Sequence, residues 1–151
     1  MTLALPGAGF LLDTNVVSQA TKPQPAPGVV AFLRAIPLPR LYISSITLGE
    51  LEFGTEDLTD PSKRARLRLW LDDILRPDYQ GRILTPDDGV MTTWARMILA
   101  SGRRPKQVPC MDALLTATAL HHDLTMVTRN VGDFQGFGVR VFNPRDEPLP
   151  M

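Results

Sequence analysis

The fold is decided by the stretch Phe10-Leu-Leu-Asp-Thr-Asn-Val-Val-Ser18. Its apolar run predicts a short buried strand, and Asp13-Thr14-Asn15 predicts a turn directly after it. Further strands are predicted over 41–44, 82–84, 124–128 and 139–142, and helices over 29–36, 47–55, 61–77, 86–102 and 111–122. Because short apolar strands alternate with helices, we expect an α/β fold with a mainly parallel sheet and helices on both faces.

Length and composition narrow the class of protein. The chain has 151 residues, of which 44% are hydrophobic, which fits one domain with a substantial core. Sixteen Lys and Arg balance sixteen Asp and Glu, so bulk positive charge does not hold a nucleic acid here. The single cysteine, Cys110, excludes a disulfide framework and a cysteine-rich zinc site. The first ten residues lack Lys and Arg, and no apolar run could span a bilayer, so we expect a cytoplasmic protein without a membrane segment.

Acidic residues occupy unusual positions next to the predicted strands. Asp13 follows the first strand, Glu50 follows the second, and Asp112 begins an otherwise uncharged helix. Asn130 and Asp133 follow the strand over 124–128. Carboxylates crowded at one edge of a parallel sheet repel each other, and Mg²⁺ or Mn²⁺ bound to their oxygens would remove that repulsion. The chemistry natural to such a site is hydrolysis of a phosphodiester bond.

Each acid also has a purely structural interpretation. Asp13 could form an Asx turn or cap a helix. Thr47-Leu48-Gly49-Glu50 matches a capping box. Asp112 could stabilise a helix N-terminus through the helix dipole, and Asn130 and Asp133 could be ordinary loop residues. Spacing alone leaves these alternatives open.

Four segments in order resemble one known family. They begin at Phe10, Ile43, Met111 and Val127 and read Phe-Leu-Leu-Asp-Thr-Asn-Val-Val-Ser, Ile-Ser-Ser-Ile-Thr-Leu-Gly-Glu-Leu, Met-Asp-Ala-Leu-Leu-Thr-Ala-Thr-Ala and Val-Thr-Arg-Asn-Val-Gly-Asp-Phe. With the ending Val139-Arg-Val-Phe-Asn-Pro, they resemble the PIN-domain ribonucleases, and within them the VapC toxins of type II toxin–antitoxin systems, including the FitB-like branch.

The resemblance implies a three-layer α/β/α sandwich over residues 1–144, followed by a tail over 145–151. It implies an acidic centre that binds Mg²⁺ or Mn²⁺ and cleaves RNA to leave a 5′-phosphate and a 3′-hydroxyl. The core acids would be Asp13, Glu50 and Asp112, with Asp13 and Asp112 as the metal ligands. Asp133 would complete the catalytic set, and Asn130 would be a neighbour, although some relatives carry an acid at that position.

Other residues would assist the acids and hold the partners. We expect Thr14, Asn15, Ser44 and Thr47 to hydrogen-bond the acids or the metal-bound water. Phosphate contacts are expected from Arg103, Arg104 and Lys106, which precede Asp112 in the sequence. The expected protein partners are a VapB-type antitoxin and a second copy of the chain.

Two alternatives from other classes remain. One is a noncatalytic PIN-like module that binds RNA or protein. Asn130, at a position where some relatives carry an acid, is consistent with this alternative. The other is a phosphatase of the haloacid dehalogenase type, which also places an Asp after its first strand. Asp13-Thr14-Asn15 lacks the second Asp that such a phosphatase carries two residues later.

Overall fold

The computed structural model describes residues 9–148, which form a parallel sheet covered by helices. Its strands are β1 Gly9–Leu12, β2 Leu41–Ser44, β3 Ile83–Leu84, β4 Leu124–Val127 and β5 Val141–Phe142. They are ordered β3-β2-β1-β4-β5, and every pair is parallel. The prediction of a parallel α/β sheet is confirmed. The prediction about the first ten residues falls mostly on residues 1–8, outside the described part.

The central strand β1 is buried along its whole length. Phe10 pairs with Leu41 of β2 on one side and with Thr125 of β4 on the other. The chain leaves β1 toward β2 and later returns to the opposite side through β4, so the strand order reverses at β1. In open parallel sheets such a reversal leaves a crevice at the carboxyl ends of the strands, where ligands bind.

The helices cover both faces of the sheet. They are α1 Thr14–Val17, α2 Pro27–Ala35, α3 Ser45–Glu56, α4 Pro61–Trp70, α5 Arg76–Asp78, α6 Asp88–Ser101 and α7 Cys110–His121. Because side chains alternate along a strand, Phe10 packs edge-on against Phe32 of α2, with ring centroids 5.2 Å apart. Leu11 points to the other face and packs with Leu115 of α7. Helix α6 packs in turn on α7, which completes the three layers.

One helix continues past its predicted end. The helix predicted over 61–77 ends one residue later than predicted, because Pro77 lies inside α5 and not at its end. A π-helical turn, Leu71–Leu75, joins α4 to α5, and Tyr79 N donates to Leu75 O at 3.1 Å. The wider turn accommodates a residue that has no amide hydrogen, so the helix ends only at Asp78.

The end of the described chain packs against the start of α2. A Cβ on Gly28 at the start of α2 would lie 2.1 Å from Pro144 O, so only glycine permits this approach. Asn143 is buried, and its backbone N donates to a Glu147 carboxylate at 2.6 Å. The predicted tail therefore starts with ordered contacts, and its last residues, 149–151, lie outside the described part. Within residues 9–148, no helix has both the length and the apolarity needed to cross a bilayer.

Candidate active site at the carboxyl edge of the sheet

Asp13 is the first residue after β1 and is 8% exposed. Its Oδ1 accepts from Thr14 N at 2.8 Å, so it caps α1 as one structural interpretation predicted. Its Oδ2 accepts from Thr128 Oγ1 at 2.7 Å and Asn15 Nδ2 at 3.1 Å. Burial raises the pKa of Asp13, hydrogen bonds from Thr128, Thr14 and Asn15 oppose that rise, and the charge of Asp133 adds to it. Asp13 can therefore cap α1 and also belong to the acidic site.

Glu50 reaches the same edge from α3. This helix begins at Ser45, directly after β2, and Ser44 Oγ caps it by accepting from Ile46 N at 3.0 Å. Glu50 Oε1 accepts a hydrogen bond from Thr14 Oγ1 at 2.6 Å. Thr14 therefore contacts Asp13 through its backbone and Glu50 through its side chain. This contact joins the ends of β1 and β2.

The capping box that the sequence of Thr47 to Glu50 matches does not form. The helix begins two residues earlier than predicted, so Thr47 lies within it rather than at its cap. Thr47 Oγ1 is buried and has no hydrogen-bond partner in the described part of the chain. The Glu50 carboxylate accepts a hydrogen bond from Thr14 and does not cap the helix N-terminus. Helix capping therefore does not explain the presence of Glu50 at this position.

Asp112 lies in the first turn of α7, which follows Pro109. Its pKa is raised first by burial and then by the charges of Asp133, Asp13 and Glu50. Three carboxylates from separate segments of the chain therefore act electrostatically on the Asp112 carboxyl group. Asp112 also occupies the helix position that the dipole favours, so this structural interpretation holds alongside the electrostatic one.

The loop after β4 supplies the remaining polar groups. Thr128 is fully buried, and its Oγ1 accepts from Asn130 N at 3.0 Å while donating to Asp13. Asp133 lies in the short helical turn Val131–Phe134 and is exposed to solvent. Asn130 is exposed and contributes its backbone amide to this network. Sequence reasoning did not single out Thr128, whose only signal was its position at the end of an apolar strand.

The supporting residues divide into two pairs. Thr14 and Asn15 hydrogen-bond the acids, and Asn15 Oδ1 also accepts from Arg129 N at 3.4 Å. Ser44 and Thr47 make no hydrogen bond to an acid within residues 9–148. Two of the four supporting residues therefore contact the acids directly.

The predicted phosphate contacts lie in the connection between α6 and α7. Arg103, Arg104 and Lys106 are all exposed. The Arg103 guanidinium lies over the Phe137 ring, 5.0 Å from its centroid, and Arg104 N donates to Gln107 Oε1 at 2.7 Å. These cations are free to meet solvent, and the segment that carries them leads into α7 and Asp112.

The donor set suits a hard divalent cation. It consists of carboxylate oxygens without cysteine or histidine, which is the chemistry that Mg²⁺ and Mn²⁺ prefer. Within residues 9–148, no three His, Cys, Asp or Glu side chains are already arranged to hold a metal ion. Mg²⁺ commonly uses only one or two carboxylates and keeps several waters, so Asp13 and Asp112 suffice on chemical grounds. Burial raises the pKa of both carboxyl groups, and the charge of Asp133 adds to the rise in each. A bound cation would favour their charged forms.

Comparisons with known proteins agree with this architecture. The chain is 38% identical over 135 residues to the toxin FitB of Neisseria gonorrhoeae, covering 89% of this chain and 97% of the relative. It is 30% identical over 135 residues to the VapC ribonuclease Y4jK of Sinorhizobium fredii, covering 89% of this chain and 96% of the relative.

Solved structures of FitB-containing assemblies share the fold. The crystal structure of FitAcB from Neisseria gonorrhoeae superposes with a TM-score of 0.83 at 36% identity, covering 91% of this chain and 99% of that chain. The structure of FitAB bound to an IR36 DNA fragment gives 0.85 at 34% identity, covering 92% and 97%. The PIN domain family itself matches residues 10–135, from the first strand to the loop that carries Asp133. This chain belongs to the PIN domain family.

Proposed function

We propose that this protein is a metal-dependent endoribonuclease that acts as the toxin of a toxin–antitoxin pair. The observation that carries the proposal is the hydrogen-bonded connection from Asp13 through Thr14 to Glu50 at one edge of the sheet. Asp112 lies near enough that burial first, and then the charges of Asp133, Asp13 and Glu50, raise its pKa. The names of the relatives, a toxin and a VapC ribonuclease, support the same activity. Membership of the PIN family removes the basis for the phosphatase alternative.

Asp13 and Asp112 would hold Mg²⁺ or Mn²⁺ through their carboxylate oxygens. When bound, the cation supplies charge neutralisation for the phosphate and a lower pKa for a water molecule. Thr128 and Asn15 hold Asp13 by hydrogen bonds to Oδ2, so the carboxylate is fixed before a ligand arrives.

Glu50 would take the proton of the attacking water. Its Oε1 already accepts from Thr14 Oγ1, which fixes the carboxylate, and its other oxygen remains available. Water adds to phosphorus as its proton passes to Glu50, and the bond from phosphorus to the 3′-oxygen breaks. The leaving 3′-oxygen takes a proton from solvent, so the products are a 3′-hydroxyl and a 5′-phosphate. Asp133 adds negative charge beside Asp112 and would orient the water. Arg103, Arg104 and Lys106 would hold the RNA backbone.

The partners follow from the same proposal. A VapB-type antitoxin would inhibit the nuclease, consistent with the similarity to FitB, which is part of the solved FitAB assembly. A homodimer is the expected oligomer. We place the reaction in the cytoplasm, where RNA and antitoxin are both available.

Cleavage of RNA by the purified protein tests the activity. We expect cleavage in Mg²⁺ that stops in EDTA, and loss of cleavage in Asp13→Asn and Asp112→Asn with the folded circular dichroism spectrum retained. Asp73→Asn, which changes an exposed carboxylate on the π-helical turn, is the matched control and should cleave normally. Normal cleavage by both site variants would refute the assignment.

Growth measurements separate a toxin from a noncatalytic PIN-like module. Induced expression of the chain should arrest growth, and Asp13→Asn should relieve the arrest. A binding module would retain RNA or protein binding in both forms but would cleave nothing. Arrest that persists in Asp13→Asn would favour that second reading.

A further inference from the structure

A largely apolar pocket opens beside the acids. It has a volume of about 760 Å³, within the range of small-ligand sites. Ile46, Gly49 and Phe53 of α3 and Met111 of α7 line it, together with Thr14 and Glu50 of the acidic site. A molecule that occupies this pocket therefore also contacts the catalytic edge.

Two large apolar side chains of this pocket are left open to solvent. Phe53 is 72% exposed and Met111 is 54% exposed. Ile46, Glu50 and Phe53 are spaced by four and three residues, so they lie on one face of α3. The aromatic ring is thus on the same helix face as the carboxylate.

A glycine enlarges the pocket on this helix. A Cβ placed on Gly49 would meet no atom within 4 Å, so the space beside the helix is open. Gly54, on the same helix, is equally open but does not line the pocket. Glycine is the least favourable helix residue apart from proline, so neither position is explained by helix formation.

We propose that this pocket binds a nucleobase of the RNA, next to the phosphate that is cleaved, and that Phe53 stacks on the base. The inference rests on the proposed nuclease function. A ligand that reaches the acids through its phosphate and fills an adjoining apolar pocket with a planar ring has the chemistry of a nucleotide. Single-stranded RNA is commonly held by unstacked bases on aromatic side chains.

Filling the pocket is the first test. Gly49→Leu adds a side chain at a position where a Cβ meets no atom within 4 Å, and Gly54→Leu, at an equally open position on the same helix, is the matched control. The probe is a short fluorescein-labelled single-stranded RNA that the wild type cuts. We expect Gly49→Leu to bind it more weakly and to cleave it with a raised KM, while Gly54→Leu behaves as the wild type.

Removing the ring is the second test. Base stacking on an aromatic side chain corresponds to about 5-fold to 150-fold in affinity. Phe53→Ala should weaken binding by an amount in that range, measured in the Asp112→Asn background so that the RNA stays intact. Phe53→Trp should restore it. An abasic nucleotide beside the cleaved bond should weaken binding to the Asp112→Asn protein but add little when Phe53→Ala is also present.

The outcomes distinguish this inference from the proposed function. If the wild type cleaves RNA and Gly49→Leu equals Gly54→Leu, the base site is refuted while the nuclease stands. If the wild type neither binds nor cleaves RNA, both fall. If light scattering shows that Phe53→Ala converts a dimer to a monomer without changing RNA affinity, a second copy covers the pocket and the base site is refuted.

Discussion

Thr128 Oγ1 donates a hydrogen bond to Asp13 Oδ2 at 2.7 Å, across 115 residues of sequence and between the ends of two adjacent strands. Because the same oxygen accepts from Asn130 N, the hydroxyl hydrogen is directed toward the carboxylate. The contact therefore orients Asp13 and lowers its pKa against the opposing effect of burial.

Thr128→Val removes this hydrogen bond while keeping the shape of the side chain. Partners that orient metal ligands typically contribute about 10-fold to 100-fold in metal affinity or activity, so we expect a loss in that range. Thr128→Ser should retain most of the cleavage. Mn²⁺ binding by calorimetry and RNA cleavage measure the effect. Thr118→Val, also fully buried but bonded to Leu114 O, is the control, and an equal loss there would contradict the prediction.

Asp112→Asn should stabilise the metal-free protein at neutral pH. A raised carboxyl pKa means that the folded protein binds more protons than the unfolded chain above the ordinary value of 3.8. The contribution of Asp112 to the free energy of unfolding is therefore most favourable below pH 3.8 and falls as pH rises through the raised pKa. Denaturant unfolding in EDTA, from acidic to neutral pH, measures the difference in free energy of unfolding between Asp112→Asn and the wild type.

The difference in free energy of unfolding between Asp112→Asn and the wild type should become smaller as the solution becomes acidic. Protonation of Asp112 in the wild type removes the same negative charge that the substitution removes. Asp73→Asn, which changes an exposed carboxylate on the π-helical turn, is the control variant. A wild type that is more stable than Asp112→Asn at neutral pH would contradict the interpretation.

Mg²⁺ should stabilise the wild-type fold because it binds the folded acidic edge. At a free concentration of 100 times the dissociation constant, one bound ion adds about 2.7 kcal/mol to the free energy of unfolding. Thermal unfolding with increasing Mg²⁺ measures the gain, and EDTA should reverse it. Asp13→Asn and Asp112→Asn should gain much less. Equal gains in all three proteins would indicate binding elsewhere.

Glu52 should stabilise the fold in a pH-dependent manner. It accepts from Arg68 Nη2 and Arg76 Nη2, each at 2.7 Å, and these hydrogen bonds lower its pKa from 4.5 to about 2. A lowered carboxyl pKa stabilises the folded state above the ordinary value, and this stability is lost as pH falls through about 2. Because these side chains are about one-third exposed, solvent screens each ion pair and we expect a small contribution from each.

Unfolding of Glu52→Gln measures that contribution. The variant should be less stable than the wild type at neutral pH and should approach it in acid. Glu56→Gln is the control, since Glu56 forms an ion pair with Arg68 alone among residues 9–148 and is 65% exposed. A loss in Glu52→Gln that persists unchanged in acid would show that packing, not charge, is responsible.

Much of the site could be predicted from the sequence because each strand ends at a recognisable polar residue. The apolar run before Asp13 indicated β1, and parallel pairing then brings Glu50 and Asp13 to one edge. Thr128 was missed because a threonine at the end of a strand is equally typical of ordinary β structure. The cap at Ser44 was missed because no turn residue separates β2 from α3.

The pocket could not be predicted, since it depends on how far α3 lies from the start of α7. Gly49 and Phe53 carry no signal that distinguishes them from other surface positions on a helix. The π-helical turn before Pro77 depends on packing against the sheet, which the local sequence does not specify.

Strand β2 ends at Ser44 and helix α3 begins at Ser45, so no linker separates them. The orientation of α3 is therefore fixed relative to the sheet. A helix attached in this way cannot rotate about its axis unless the preceding strand shifts its register. Substitutions on the outer side of α3 can therefore accumulate without displacing Glu50. A one-residue insertion at this junction, in contrast, would turn the helix by about 100° and carry the carboxylate away from Thr14.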